Sequence, residues 1–200
     1  MTGGAVEVEA GGFPQDWLAD TATPASDVEL ALLLVNTLDL LEDPPDRLVD
    51  LVWLTGAFTR AGHHGLATEL ANRDLPRLRG LRDSLRQVFE AEDLQAAVAQ
   101  LNPLLEKARA VPLLVVEPDD EHLTLQVGVG LHGIAALEAR LPAAMAAYVA
   151  EHGTARLGVC ASDPCRCVFV DRTRGNTRRY CCTYCNDRYA ARAYRRRKRS

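Results

Sequence analysis

Apolar residues recur every three to four positions along much of the chain, which is the period of a helix with one buried face. Ser26 followed by Glu29 has the form of a capping box, and the apolar positions after it predict a helix over about residues 27–41. The pair Pro44–Pro45 ends this helix. A second helix is predicted to begin near Asp46.

The helical period continues in two longer stretches. Residues 66–109 predict two or three helices, the last of which Pro103 interrupts. The Ala-rich stretch from Leu131 to about His152 predicts another helix, broken or kinked at Pro142 and capped by Gly153. The body of the protein is therefore expected to be mainly α.

Two short segments instead favour β-structure. Leu113–Val116 and His122–Val127 are rich in β-branched residues and leucine, and the polar residues 117–121 lie between them. This pattern predicts a β-hairpin. Because two strands are too few to build a sheet core, the hairpin is expected to be an accessory to a helical domain.

Charge divides the chain into two chemically different parts. Residues 1–153 carry 10 Lys and Arg against 24 Asp and Glu, whereas residues 154–200 carry 13 against 3. A basic segment of this kind favours contact with nucleic acid or another polyanion. Residues 1–25, rich in Gly, Ala, Thr and Pro, predict a flexible arm. No apolar run is long enough to span a membrane and no secretory signal is evident, so we expect a cytoplasmic protein with reduced cysteines.

All six cysteines lie in the basic part, and four of them form two chelating pairs. Cys160 and Cys165 are spaced C-x4-C, and Cys181 and Cys185 are spaced C-x3-C. Four thiolates are the ligand set of a closed structural Zn²⁺ site, which suits a segment too short to bury a core of its own. Pairs that use the two remaining cysteines are sterically conceivable, and three disulfides are a further alternative. These remaining cysteines are Cys167 and Cys182.

Arginines surround the second cysteine pair. Val168–Val170 predicts a strand, and the residues after Cys185 predict a helix with basic side chains every three to four positions and tyrosines between them. Guanidinium groups bind phosphates bidentately and reach base edges, so such a helix can dock on a duplex; the alternative is a solvated charged run. The residues predicted to contact nucleic acid are Arg172, Arg174, Arg178, Arg179, Arg188, Arg192, Arg195, Arg196 and Arg199.

These segments resemble the CGNR zinc-finger family over about residues 157–199. The resemblance rests on Leu157–Cys165, Val168–Arg174, Arg178–Cys181 and Cys185–Arg188. Leu34–Asp39 and Leu101–Leu105 are similar to the helical, ABATE-like domain that precedes this finger in the family. The resemblance implies a stress- or ligand-responsive regulatory domain joined to the finger, as in a bacterial transcription regulator.

The family's naming tetrapeptide is changed here. The chain has Asn186 and Asp187 between Cys185 and Arg188, where the family has Gly and Asn. Asn186 can still adopt a left-handed or capping conformation. A carboxylate at Asp187 would repel phosphate, so either this position does not face nucleic acid or binding is weaker than in relatives.

Other candidate sites are weaker. His63 and His64 lie on a Gly-flanked turn without ligands at metal spacing, and no nucleophile elbow, Walker loop or dinucleotide fingerprint occurs, so no enzyme is expected. Asn36 and Thr37 lie among leucines, where hydrogen bonds to backbone carbonyls are favoured over the lining of a pocket.

Together these observations predict a mainly α (α+β) protein: a helical N-terminal domain with a small β-hairpin at 26–153, and a small C-terminal four-cysteine zinc finger with a basic helix at 154–200. The predicted function is that of a zinc-dependent, DNA-binding transcription regulator, with duplex DNA favoured over RNA. A small-molecule effector and a homodimer fit such a regulatory domain. The alternatives are an RNA- or ribosome-associated zinc module, whose tyrosines stack on bases, and an adaptor whose basic helix docks on an acidic protein.

Overall fold

The computed structural model describes residues 26–116 and 122–199, with only the backbone of Arg199. The predicted arm at 1–25 and the hairpin turn at 117–121 lie outside the described residues. The helices are α1 (Asp27–Val35), α2 (Val52–Arg60), α3 (His64–Glu69), a 3-10 turn (Asn72–Asp74), α4 (Leu75–Phe89), α5 (Leu94–Ala108), α6 (Gly133–His152) and α7 (Thr183–Arg199). The strands are β1 (Pro112–Val116), β2 (Leu123–Val127), β3 (Leu157–Val159) and β4 (Val168–Val170), which form two antiparallel pairs. The predicted mainly α (α+β) fold is confirmed.

Helix α1 lies at the centre of the core. Its residues Leu30–Val35 are all buried, as expected for a helix that is apolar on every side, and it packs against α2, α4 and α6. The predicted capping box is present, since the Glu29 carboxylate accepts from the Ser26 amide at 2.8 Å and the Glu29 amide donates to the Ser26 hydroxyl.

Helices α1 and α2 are shorter than predicted. Helix α1 ends at Val35 instead of about residue 41, because the chain after it forms a bridge between Leu38 and Asp46. Helix α2 begins at Val52, not near Asp46. The Asp46 carboxylate instead accepts from the Leu48 amide at 2.9 Å, which holds the connecting segment in a turn.

Prolines do not interrupt the long helices. Helix α5 continues through Pro103, contrary to the predicted interruption. Helix α6 continues through Pro142, so of the two predicted alternatives, a break or a kink, the break does not occur. Each proline removes one intrahelical hydrogen bond, but packing of α5 against α4 and α6 and of α6 against α1 keeps the helices formed. The predicted end at Gly153 is confirmed: its φ is 71° and its amide donates to the Val149 carbonyl.

Both β-pairs are hairpins between segments close in sequence. Strands β1 and β2 pair as predicted, with Leu114 opposite Leu125. Strand β4 is confirmed, and it pairs with β3, which was not predicted. In that pair Gly158 lies opposite Phe169, and a Cβ atom on Gly158 would come within 2.6 Å of the Phe169 ring, so only glycine fits there.

The second hairpin belongs to the main hydrophobic core. Val168 and Val170 are buried in the cluster formed by the helices, and Leu157 and Val159 pack against it. Contacts of β3 and β4 with α4, and of β4 with α1, place the cysteine-rich segment directly on the helical domain. No helix in the described part of the chain is long and apolar enough to cross a membrane.

Candidate metal centre and basic helix

Strand β3 and helix α7 position the cysteines close together. Cys160 directly follows β3, and its amide donates to the Cys167 carbonyl at 2.9 Å. The Cys165 amide donates to the Ser162 carbonyl at 2.9 Å, which closes a turn. Cys185 lies in the first turn of α7, and so this helix is fixed directly to the cysteine cluster.

Four sulfurs converge in the geometry of a metal site. The Sγ atoms of Cys160, Cys165, Cys181 and Cys185 lie within 4.8 Å of one another. The Cys165–Cys181 sulfur distance is 3.7 Å and the Cys181–Cys185 distance is 3.6 Å. Tetrahedral zinc with Zn–S bonds of about 2.3 Å has sulfurs about 3.8 Å apart, so the donor set and its spacing fit Zn²⁺. The four residues brought together are those that the sequence predicts as ligands.

Cys167 and Cys182 lie at the border of this cluster. The Cys182 sulfur is 3.7 Å from that of Cys181 but is not one of the four mutually close sulfurs. Cys167 instead groups with Cys165 and with a carboxylate oxygen of Asp39, all within 4.8 Å. Asp39 belongs to the segment after α1, so a buried acidic group of the helical domain reaches the edge of the sulfur cluster.

Crowding of the thiols favours ionisation at Cys165. Hydrogen bonds that Cys160, Cys167 and Cys181 can donate to its sulfur lower the pKa of Cys165, and they outweigh burial, which acts in the opposite direction. The thiolate is the form that binds zinc.

Asp171 holds the loop between β4 and the second cysteine pair. One carboxylate oxygen accepts from the Thr173 amide at 2.7 Å and the Thr173 hydroxyl at 2.6 Å, and the other accepts from the Arg178 amide at 2.7 Å. Burial alone would raise the pKa of Asp171, but these hydrogen bonds outweigh it and lower the pKa. The carboxylate therefore fixes the loop in its charged form.

Several predicted nucleic-acid residues have partners inside the protein. The Arg178 guanidinium donates to the backbone carbonyls of Tyr180 and Cys181 and lies 5.0 Å from the centre of the Phe169 ring. Arg172 forms an ion pair with Glu29 at 2.8 Å. These two arginines thus brace the finger and its contact with α1.

Arg188 and Arg192 attach α7 to the first cysteine turn. Arg188 donates to the carbonyls of Ser162 and Asp163, and Arg192 donates to the same Asp163 carbonyl. These bonds, together with Cys185, set the direction of α7. The sequence predicts Arg188 and Arg192 only as nucleic-acid contacts, because carbonyl partners 25 to 29 residues away leave no local signal.

Arg192 and two further arginines of α7 line one exposed surface. A shallow cavity with a volume of about 500 Å³ lies between residues 161–163 and α7. Arg192, Arg195 and Arg196 line it. We refer to these three arginines as the basic face. The side chains of Arg174 and Arg179 are exposed as well, and that of Arg199 lies outside the described part.

The changed tetrapeptide lies within α7. Asn186 is helical and donates its amide to the Cys182 carbonyl, so it is neither left-handed nor a cap as expected. Asp187 is exposed and lies about 100° around the helix from Arg188. By the same helix geometry it lies about 140° from Arg192, 80° from Arg195 and 180° from Arg196, so its carboxylate is offset from the basic face.

A functional contact that the sequence did not reveal joins the two parts of the chain. The side chain of Asn36, 2% exposed, donates to the Val168 carbonyl at 2.9 Å and accepts from the Val168 amide at 2.7 Å. The side-chain amide of Asn36 thus makes the two hydrogen bonds to β4 that a neighbouring strand would otherwise make. As expected, Asn36 bonds a backbone carbonyl, but that carbonyl belongs to the finger. Thr37 donates to the Leu34 carbonyl of α1. An asparagine inside an apolar run was the one available signal.

A further contact lies beside Asn36. Arg86 of α4 donates to the carbonyls of Val35 and Arg166, and Arg166 pairs with Glu90 at 2.9 Å. His63 and His64, by contrast, are not part of a metal-ligating group among the described residues.

Comparison with protein families agrees with this architecture. The model of the ABATE family, described as "Putative stress-induced transcription regulator", matches residues 29–156, more than half of the chain. The chain belongs to the ABATE family. A second model, CGNR zinc finger, matches residues 156–198 and contains all four clustered cysteines. A comparison with the curated proteins finds no match. This ABATE protein is therefore a zinc-binding regulator with a C-terminal CGNR finger.

Proposed function

We propose that this ABATE protein regulates transcription by binding duplex DNA through α7 and the basic face. The observation that carries the proposal is the exposed α7, which Cys185 joins to the metal centre and Arg188 and Arg192 hold to the first cysteine turn. A helix held in this way enters a major groove without losing its own order, and its outward arginines reach phosphates and base edges.

Charge supports the same conclusion. Residues 154–200 carry 13 basic and 3 acidic side chains. Asp171 is buried in its loop, and Asp187 is offset from the basic face. Asp163 lines the same surface as the basic face, where its carboxylate lies 3.7 Å from the Arg192 guanidinium. Three arginines thus outweigh one carboxylate there, and a phosphate backbone meets a net positive surface.

On this proposal the protein binds and does not catalyse, because four protein sulfurs close the coordination shell and leave no position for water or substrate. Its place is the bacterial cytoplasm, where thiols stay reduced.

A cavity between α1 and the finger suits a small-molecule effector. Its volume is about 1110 Å³, and Asn36, Asp39, Arg178, Arg179 and Tyr180 are among its lining residues. A ligand there would touch the Asn36 contact and the segment before Cys181 together. Binding at this position can therefore change how firmly the finger is held on the helical domain.

RNA is the second candidate partner, and two exposed tyrosines favour it. Tyr184 is 66% exposed and Tyr194 is 60% exposed on α7, where they can stack on unpaired bases. Tyr180 and Tyr189 are less available, since their rings contact each other at 5.3 Å. Competition between duplex DNA and structured RNA at the same salt concentration separates the two candidates.

The test is the salt dependence of DNA binding by the zinc-loaded full chain, measured by fluorescence anisotropy with a random-sequence duplex. We expect a log–log slope of roughly −4 to −6, as for about five to seven phosphate contacts. Replacement of both Arg195 and Arg196 by alanine should weaken binding and make the slope less negative by about 2, because two phosphate contacts are lost.

The matched control is Arg73→Ala, which removes an exposed arginine from the helical domain and should leave binding unchanged. Binding that is absent or does not respond to salt would contradict the proposal.

A further inference from the structure

The β1–β2 hairpin has an apolar face directed at solvent. Leu114 pairs with Leu125 and Val116 pairs with Leu123, so these four side chains project from one face of the hairpin. They are 63% to 71% exposed. The other face carries Leu113, which is 48% exposed, and Val115, Thr124 and Gln126, which are half-buried.

This arrangement inverts the usual polarity of an antiparallel pair. A hairpin on the surface of a domain normally turns its apolar face inward and its polar face to water. Here β2 packs toward α6, and the face with Thr124 and Gln126 is the more covered one. None of the ten strand residues is charged. A two-stranded hairpin of this kind is only marginally stable in water without a partner surface.

We propose that the outward face of β1 and β2 packs on the same face of a second copy of this chain about a two-fold axis. The strand residues of this face are uncharged and regularly pleated, so the face is complementary to itself and its strands bring no like charges together. The two hairpins would stack as sheets about 10 Å apart, with their leucines and valines interdigitated.

The available area is sufficient for such a dimer. The cross-strand pair Pro112 and Val127 lies on the same face, with Pro112 exposed and Val127 half-buried, which extends the apolar surface to six side chains. At roughly 80 Å² of apolar surface each on average, they bury on the order of 500 Å² per copy. Twice that area, about 1,000 Å² in total, is the size that a specific interface has to reach.

The dimer goes beyond DNA binding, because its contacts lie in the helical domain and do not involve α7. It would give the assembly two copies of α7 related by the two-fold axis. Symmetric regulators bind paired half-sites in this way.

The test is sedimentation of the full-length chain without nucleic acid, over a range of protein concentrations, so that failure of DNA binding would not affect the result. We expect a species of twice the 21.9 kDa chain mass, and we expect Leu114→Lys to sediment as a monomer. Because Leu114 is 71% exposed, the variant should keep the wild-type circular dichroism and Tm of the monomer fold.

Val52→Lys is the control, since it makes the same change at a valine that is 77% exposed on α2, and it should remain dimeric. The proposal is overturned if the wild type is monomeric at every concentration. In that case the partner of this face would be a different protein or residues 1–25 of the same chain. It is equally overturned if Leu114→Lys dimerises like the wild type.

Discussion

At the scale of single residues, polar side chains that are partly or fully buried decide how the loops of the helical domain are held. Asp46 accepts from the Arg82 guanidinium at 2.7 Å and from the Leu48 amide at 2.9 Å. Burial alone would raise the pKa of Asp46, but these bonds and the charge of Arg82 outweigh it and hold the pKa below its ordinary value of 3.8. The interaction therefore stabilises the fold only while Asp46 is ionised.

Replacing Asp46 by asparagine should lower the free energy of unfolding at neutral pH by about 1–2 kcal/mol, because the buried Arg82 guanidinium then faces a neutral amide instead of a carboxylate. The folded-state pKa lies below the unfolded one, so this contribution is complete above about pH 4 and is lost as the pH falls through the folded pKa. Urea unfolding of both proteins from neutral to acidic pH measures the difference. Asp43→Asn, at an exposed position, is the control, and a difference that persists unchanged in acid would refute this role.

Single residues also show where sequence reasoning succeeds. Spacing alone identified the four clustered cysteines, because chelating pairs on short turns are a local pattern. The roles of Arg188 and Arg178 were not accessible in this way. Their partners are backbone carbonyls, and which carbonyl comes near depends on how the chain folds back.

At the scale of elements, β4 depends on a side chain of the helical domain. Asn36 bonds both the amide and the carbonyl of Val168, while β3 pairs with the other edge of β4. The finger is thereby tied to the end of α1 as well as to the common core.

Asn36→Ala should lower the free energy of unfolding by about 2–4 kcal/mol, because it leaves a buried N–H and a buried C=O of Val168 without partners. Urea denaturation of the zinc-loaded protein measures the effect, and hydrogen exchange at the Val168 amide should increase. Asn102→Ala, on the exposed side of α5, should change stability little. An unchanged rate of hydrogen exchange at the Val168 amide would show that the Asn36 contact is not formed in solution.

Element boundaries show which signals are local. The first hairpin, strand β4 and the cap at Gly153 follow from short patterns in the sequence, and the structure contains all three. The early end of α1 and strand β3 depend on pairing with distant segments. Leu157–Val159 is too short to be recognised until β4 lies beside it.

At the scale of the whole molecule, the acidic helical domain and the basic finger are joined by a common core, the Asn36 contact and the Arg172–Glu29 and Arg166–Glu90 ion pairs. The division of charge along the sequence corresponds to a division of tasks. On the proposed function, the helical domain supplies the support and the cavity, and α7 supplies the surface for a polyanion. The metal centre connects them, because Cys160 directly follows β3, which packs on the helical domain, and Cys185 lies in the first turn of α7.

The central claim is that four sulfurs hold one zinc ion and that this ion fixes α7. It is tested most directly by the zinc content per chain of the purified protein, measured by mass spectrometry of the element for the wild type, Cys185→Ser and the control Cys182→Ser. The account predicts about one zinc ion per chain in the wild type and in Cys182→Ser, and a large loss in Cys185→Ser. A wild-type protein that is free of metal yet ordered along α7, or a loss of zinc in Cys182→Ser alone, would contradict it.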